Sequence, residues 1–203
     1  GKSSSGFIGK WSVKSETRTE GDRTLKIVIY SDSTTGLRIT AVYTIYRDFP
    51  AVEWLVRFKN EGKSDTPIIE GVQACAISFN NLAEGPVTLY RARGSNAERS
   101  DFAPINDVLA ENAEVIFGPS GGRSSDTTAL PFFNIAAPDR GIVAAIGWSG
   151  KWKAAVKRKG ARSIELEAGM DRTHFKLQPG EDVRTPSMAL LFWKSSDRMA
   201  GHN

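Results

Sequence analysis

The chain has 203 residues, 40% of them hydrophobic and 25% charged, with a net charge of +4 and a single cysteine. That is enough apolar material for one sizeable core. One cysteine excludes an intrachain disulfide and a cysteine-based metal site. No stretch is long and apolar enough to span a membrane, and no dense Lys/Arg run interleaves with aromatics, so neither a membrane nor a nucleic acid is an expected partner.

The opening Gly1-Lys-Ser-Ser-Ser-Gly6 reads as a cloning remnant joined to a mature or truncated start. The compartment, cytoplasmic or secreted/periplasmic in a bacterium, therefore stays open. Residues 1–24 are expected to be an extension or edge strand, tied on through Phe7 to Trp11 and Val13. Regular strands begin with Leu25-Lys-Ile-Val-Ile-Tyr30. The turn-rich connection Ser31 to Gly36 predicts a hairpin with the next strand. In that strand Leu37, Ile39, Ala41, Tyr43 and Ile45 alternate with Arg38, Thr40, Val42, Thr44 and Tyr46. Successive strand side chains point to opposite faces, so this is a half-buried strand. Asp48-Phe-Pro50 breaks it. Val52, Trp54, Val56 and Phe58 then take the core phase of another, ending at the turn Asn60 to Asp65. Ile68 to Phe79 and Val87 to Arg91 predict two more, and Cys75 is expected as a buried strand thiol.

Residues 92–128 lack alternation and are rich in Gly, Ser, Asn, Asp and Pro. Leu109 to Phe117 fits a helical turn or a short strand equally. Such a segment is either an ordered crossover or a functional loop. Strands resume over Ile142–Trp148, Trp152–Lys157, Ser163–Ala168, His174–Leu177 and Met188–Trp193. The basic cluster from Lys151 to Lys159 alternates with apolar residues and is expected to be a solvated strand face. Many short strands with almost no helix signal predict an all-β fold: one large two-sheet antiparallel β-sandwich over residues 1–203, with long irregular crossover loops.

Sites for chemistry are sparse. Neither His174 nor His202 has neighbours spaced as metal ligands, so no metal or other cofactor is expected. Gly118-Pro-Ser-Gly-Gly122 lacks the Gly-Lys-Ser/Thr ending of a phosphate loop. Asp101 and Asp126 lie in the irregular stretch. Paired carboxylates can hydrolyse glycosides at the right separation, but the expected role here is capping of turns. Trp148 ends an apolar strand and is expected inside; Trp152 is left open between core and surface. An exposed ring could stack on the flat face of a sugar, with hydrogen bonds from Arg123, Ser124, Ser125 and Asp126.

One ordered set of segments adds to this. It comprises Tyr46-Arg-Asp-Phe-Pro-Ala-Val-Glu-Trp54 with Phe58-Lys-Asn60, Asp65-Thr-Pro-Ile-Ile-Glu70, Gly94-Ser-Asn96 and Asp101-Phe-Ala-Pro104. It continues with Gly121-Gly-Arg-Ser-Ser125, Leu130-Pro-Phe-Phe133, Trp148-Ser-Gly-Lys-Trp152, Leu177-Gln-Pro-Gly-Glu181, Thr185-Pro186 and Gly201-His-Asn203. Together these resemble the N-terminal β-sandwich of family-36-type α-galactosidases (melibiases), from about Leu25 to Asn203. The resemblance implies a non-catalytic domain set before a (β/α)8 barrel, which would follow residue 203. That barrel carries two catalytic aspartates and a retaining mechanism. No catalytic residue is carried over, and no activity is expected of this chain alone. The implied partners are the barrel of the parent chain, an α-galactoside-type carbohydrate and a second copy in a homo-oligomer. Asp101, Phe102, Arg123, Ser124, Ser125, Asp126 and Trp152 are the candidates for contact with a barrel or a sugar. The alternative is a free-standing carbohydrate-binding sandwich, which needs exposed aromatic rings in one groove, Trp152 foremost.

Overall fold

The structure, a computed structural model, describes residues 3–82, 84–197, 199 and 201. Gly1 and Lys2 of the opening motif, and His202 and Asn203 of the closing one, lie outside the described residues. Two 3-10 turns, Ser4–Gly6 and Ile8–Lys10, lead into β1 (Ser12–Glu20) and β2 (Arg23–Ser31). Then come β3 (Leu37–Tyr46), β4 (Ala51–Asn60), β5 (Ile69–Glu70), β6 (Cys75–Phe79), β7 (Val87–Ala92), β8 (Pro104–Leu109) and β9 (Glu114–Phe117). The second half supplies β10 (Phe132–Ala136), β11 (Arg140–Gly147), β12 (Trp152–Lys159) and β13 (Ser163–Met170). The last are β14 (His174–Phe175), β15 (Asp182–Arg184) and β16 (Ser187–Lys194).

A ten-stranded sheet runs β1-β2-β3-β4-β16-β11-β10-β7-β8, with β15 also against β4. A four-stranded sheet, β6-β13-β12-β9, packs on part of it, and β5 and β14 form a small ribbon. The fold is a large antiparallel β-sandwich. Strands β15 and β16 share one lane along β4, broken at Thr185-Pro186. Proline has no N–H for the ladder. Thr185 fills the break: its hydroxyl accepts the Val56 N–H at 3.1 Å, and its own N–H donates to the Val56 carbonyl at 2.8 Å.

Period-two burial builds the core. Trp54 and Phe58 are buried from β4, Ile142, Ala144 and Ile146 from β11, and Trp152, Ala154 and Val156 from β12. Each fully buried aliphatic side chain contributes roughly 1.5–3 kcal/mol. The Trp54 indole N–H is satisfied by the Ala74 carbonyl at 2.7 Å. A smaller cluster of Leu37, Phe58 and Leu177 lies under the β5/β14 ribbon, with Trp11 and Ile39 against it. Cys75 is buried. Burial first, and the Glu167 charge second, push its thiol up to about 12, so it stays protonated and unreactive.

Three expectations are corrected. The irregular segment 92–128 contains an unexpected strand, β8 on β7, while β9 on β12 takes the short-strand alternative left open for Leu109 to Phe117. The strand expected over Ile68–Phe79 is split into β5 and β6 around Gly71, which has φ +62°. Arg158 leaves the solvated basic face altogether. It follows Trp152, Ala154 and Val156 on the inner phase of β12 and is 7% exposed. Its guanidinium donates to the carbonyls of Leu109, Gly85 and Ala161, each at 3.0 Å, and of Gly160 at 3.2 Å. One side chain thus ties the β6–β7, β8–β9 and β12–β13 connections together at one end of the sandwich.

Replacing Arg158 by Met removes every one of those donors, from the buried Leu109 carbonyl and from three part-buried ones, at a cost of about 3 kcal/mol. Arg158→Lys recovers only part, because an ammonium cannot reproduce the planar fork. Urea denaturation of both variants checks this; a loss below about 1 kcal/mol for Arg158→Met would show that the staple is dispensable.

Candidate functional site

Three connections meet at the opposite end of the sandwich. They are residues 93–103 between β7 and β8, 118–131 between β9 and β10, and 148–151 between β11 and β12. The first two are fused by backbone bonds. Gly94 N donates to Asp126 O at 2.8 Å, and Leu130 N donates to Ala92 O at 3.0 Å. A Cβ at Gly94 would lie 2.0 Å from Ser125 Oγ and 2.5 Å from Asp126 O, so only glycine permits this approach. A β-bridge between Arg123 and Gly150 ties in the third connection.

Asp126 is the organising group. It is 6% exposed. Its Oδ2 accepts from the Gly121 N–H at 2.7 Å and the Ser120 hydroxyl at 2.9 Å. Its Oδ1 accepts from the Thr128 hydroxyl at 2.5 Å and the Thr128 N–H at 2.9 Å. Burial by itself would raise this carboxyl. The bonds from Thr128, Gly121 and Ser120 outweigh burial and hold it far below the usual carboxylate range. Asp101 does the same for its own loop. It accepts from the Ser95 hydroxyl at 2.6 Å, Asn96 N–H at 3.0 Å and Glu98 N–H at 3.2 Å, and the Ser95 bond foremost lowers its pKa. Both carboxylates spend their oxygens inside their loops, so neither presents itself as an acid, base or nucleophile.

Between these loops lies an open hollow of about 530 Å³, lined by Asn96, Ser120, Gly121, Arg123, Asp126 and Thr127 among others. Arg123 Nη2 donates to Asn96 Oδ1 at 2.9 Å across it. Phe102 sits on the same loop as Asp101, 59% exposed and held at φ +59°. A bulky residue in the left-handed region is strained. Ser124 faces inward: its carbonyl accepts the Trp152 indole N–H at 2.7 Å.

All seven expected contact residues belong to this end, but not all are surface. Trp152 is fully buried, edge-on to Phe117 at 5.8 Å, and cannot offer its ring to a sugar. Trp152, which the sequence left open, is thus a core residue, and Trp148, expected inside, packs against the core only in part. β11 ends at Gly147, so Trp148 falls in the turn, half-buried, with the Arg184 guanidinium 5.5 Å from its ring centre. Asn96, Ser120 and Thr128 were not singled out from the sequence as site residues. The signal for the last was present: Asp126-Thr-Thr128 is an Asx-turn sequence, whose side chain bonds the backbone two residues on. Elsewhere, His174 is exposed on β14 beside Glu70 at 3.2 Å. Among the described residues no group of three His, Cys, Asp or Glu could hold a metal.

No family model matches the chain. It is 24% identical over 184 residues to the α-galactosidase Mel36A of Lactobacillus acidophilus, covering 87% of this chain and 24% of that protein. It superposes on the α-galactosidase from Lactobacillus brevis with a TM-score of 0.71 at 15% identity, over 91% of this chain and 26% of that one. The family-36 α-galactosidase AgaA from Geobacillus stearothermophilus gives 0.67 at 17% identity, over 91% and 27%. The chain has the fold of part of a family-36 α-galactosidase. The resemblance seen in the ordered segments from Tyr46 onward is thus found by sequence and by structure. The chain spans about a quarter of the length of the relatives it matches.

The loop end makes a pH prediction. The folded Asp126 carboxyl titrates below its unfolded value of about 4, so its stabilisation is complete above that pH and is lost as pH falls toward the folded value. Asp126→Ala is expected to cost about 2–3 kcal/mol near neutrality. In urea titrations the gap between wild type and variant narrows below about pH 4. A gap that does not change with pH would show that the carboxylate is not what holds the loops.

Proposed function

We propose that this chain is the non-catalytic β-sandwich of an α-galactosidase-type glycoside hydrolase. The observation that carries the reading is the pair of coverages: about nine-tenths of this chain against about a quarter of each relative. In this reading a (β/α)8 barrel elsewhere in the longer protein does the chemistry with two carboxylates. The sandwich braces that barrel, shapes the rim of its pocket and supports contacts between copies. The Asn96–Arg123 hollow and the Phe102 tip are the surface assigned to the barrel or pocket rim. Its loops are rigidly bonded from within, Phe102 offers an exposed apolar ring, and Arg123 offers a planar donor fork suited to carbonyls or sugar hydroxyls. The burial of Trp152 weakens the free-standing sugar-binding alternative, which relied on that ring.

The 203-residue chain is expected to release no chromophore from an aryl α-galactoside, and to give no binding heat with galactosides at millimolar concentration. Robust turnover by clean protein overturns the non-catalytic reading. Heat that disappears in Arg123→Ala would move the role to sugar binding in its own right.

A further inference from the structure

Strand β1 is an open edge of unusual composition. Among the described residues it pairs with β2 alone, and all nine of its residues are exposed. Its direction of hydrogen bonding follows from its neighbours. Asp32 N donates to Leu37 O, and Arg47 N donates to Asp22 O, so the even-numbered residues of β2 bond to β3. The odd-numbered residues of β2 therefore bond to β1, opposite Ser12, Lys14, Glu16, Arg18 and Glu20. This leaves the N–H and C=O groups of Val13, Ser15, Thr17 and Thr19 directed at the free edge. The tight Gly21-Asp22 turn, with Gly21 at φ +59°, fixes that register. Such an edge is a template for another strand unless something forbids pairing.

The charges on β1 select one partner. Lys14, Glu16, Arg18 and Glu20 alternate in sign along one face. Set a second copy antiparallel with Thr17 opposite Thr17. Lys14 then faces Glu20, Glu16 faces Arg18, and the same two pairs recur by symmetry. All are of opposite sign. Sliding by two residues either way puts Glu16 opposite itself with Lys14 against Arg18, or Arg18 opposite itself with Glu16 against Glu20, which repels. The hydrogen bonding agrees with the charges. Thr17 has its backbone groups outward, so it forms a hydrogen-bonded pair with its copy. The charged residues then fall at non-hydrogen-bonded positions, where side chains approach most closely. On the other face Ser15 meets Thr19, a hydroxyl pair that also favours strand pairing.

We propose that β1 is a self-association edge, through which two copies of this chain pair antiparallel about Thr17 and join their large sheets into one. This inference gives a place to the contacts between copies in the reading above, but its observations are those of β1 alone, so it can fail while the glycosidase role stands. The contact is narrow and its charges are exposed, so the dimer is weak and salt-sensitive.

Sedimentation equilibrium of the intact chain tests it. At low salt the dimer fraction rises with concentration, and the dissociation constant increases roughly tenfold or more in high salt. Thr17→Pro removes an edge N–H that β2 does not use, so the variant keeps its thermal midpoint but stays monomeric. Glu16→Lys/Glu20→Lys and Lys14→Glu/Arg18→Glu double variants are each monomeric alone, and form a mixed dimer when combined. Thr17→Cys oxidises to a covalent dimer, whereas Ser15→Cys, whose partner is position 19, does not. A chain that is monomeric at every concentration overturns the proposal. So does a dimer that survives Thr17→Pro, or a failure of the two charge variants to combine.

Discussion

The four-stranded sheet covers only part of the inner face of the ten-stranded sheet, and that difference in width decides the remaining surfaces. Strands in a sheet are spaced about 4.8 Å apart, so four of them span about 14 Å between outer axes, against about 38 Å for nine lanes. The buried core accordingly draws on β4, β16, β11, β10, β7 and, through Leu109, the end of β8 from the large sheet. Beyond it the sheet must find other cover or stay polar. The β5/β14 ribbon and Trp11 supply cover over Leu37 and Phe58. Past that point β1 has only one apolar residue, Val13, and its alternating charges suit a strand with water on both faces.

Strand β12 shows how the smaller sheet is anchored. Its inner phase runs Trp152, Ala154, Val156, Arg158. The middle two are held by burial. The outer two each carry a polar group to backbone carbonyls, the Trp152 indole to Ser124 and the Arg158 guanidinium to four carbonyls. The two anchors lie about 20 Å apart along the strand, one at each end of the core. A crossover loop cannot be secured by apolar packing alone, because its unpaired backbone groups need partners. These two side chains supply those partners from a strand the core already immobilises. Asp126 does the same from within the loops, accepting the N–H groups that the Gly121 and Thr128 backbone would otherwise leave unpaired.

Where burial alternates, the sequence was readable. Leu37 to Tyr46 and Ala51 to Asn60 have one face toward the core, so a period of two appears in the residues themselves. Strand β10 escaped because both its faces are covered. Phe133 and Ile135 face the core, while Asn134 on the other face is buried beneath Trp193, whose indole N–H it accepts at 3.0 Å. Strand β1 was legible only as an extension or edge strand, for the opposite reason: it has no buried face to print a pattern. Trp152 stayed undecided in the sequence because a turn resets the phase: nothing in Trp148-Ser-Gly-Lys-Trp152 says on which residue the second strand begins. Arg158 was misread through its charge alone. Its position, two residues past Val156 and four past Ala154, already placed it inside. The surface at Asn96, Phe102 and Arg123 was reached as a set of loop residues, but its shape depends on contacts between connections about 25 residues apart, which no local pattern encodes.

The width mismatch also separates the two surfaces assigned to partners. The loop end belongs to the connections around β7, β8 and β9, and β8 is one edge of the large sheet. Strand β1 is its other edge, eight lanes away. A second copy seated on β1 therefore extends the sheet away from the Asn96–Arg123 hollow and leaves it open. The two contacts also differ in kind. Pairing at β1 uses backbone groups and exposed charges, so salt weakens it. The loop end is held by bonds to Asp126 that stay intact until acid protonates the carboxylate. Salt thus acts on the edge without disturbing the hollow, whereas acid acts on both surfaces: it loosens the hollow's walls at Asp126 and removes the Glu16 charge that the β1 pairing uses.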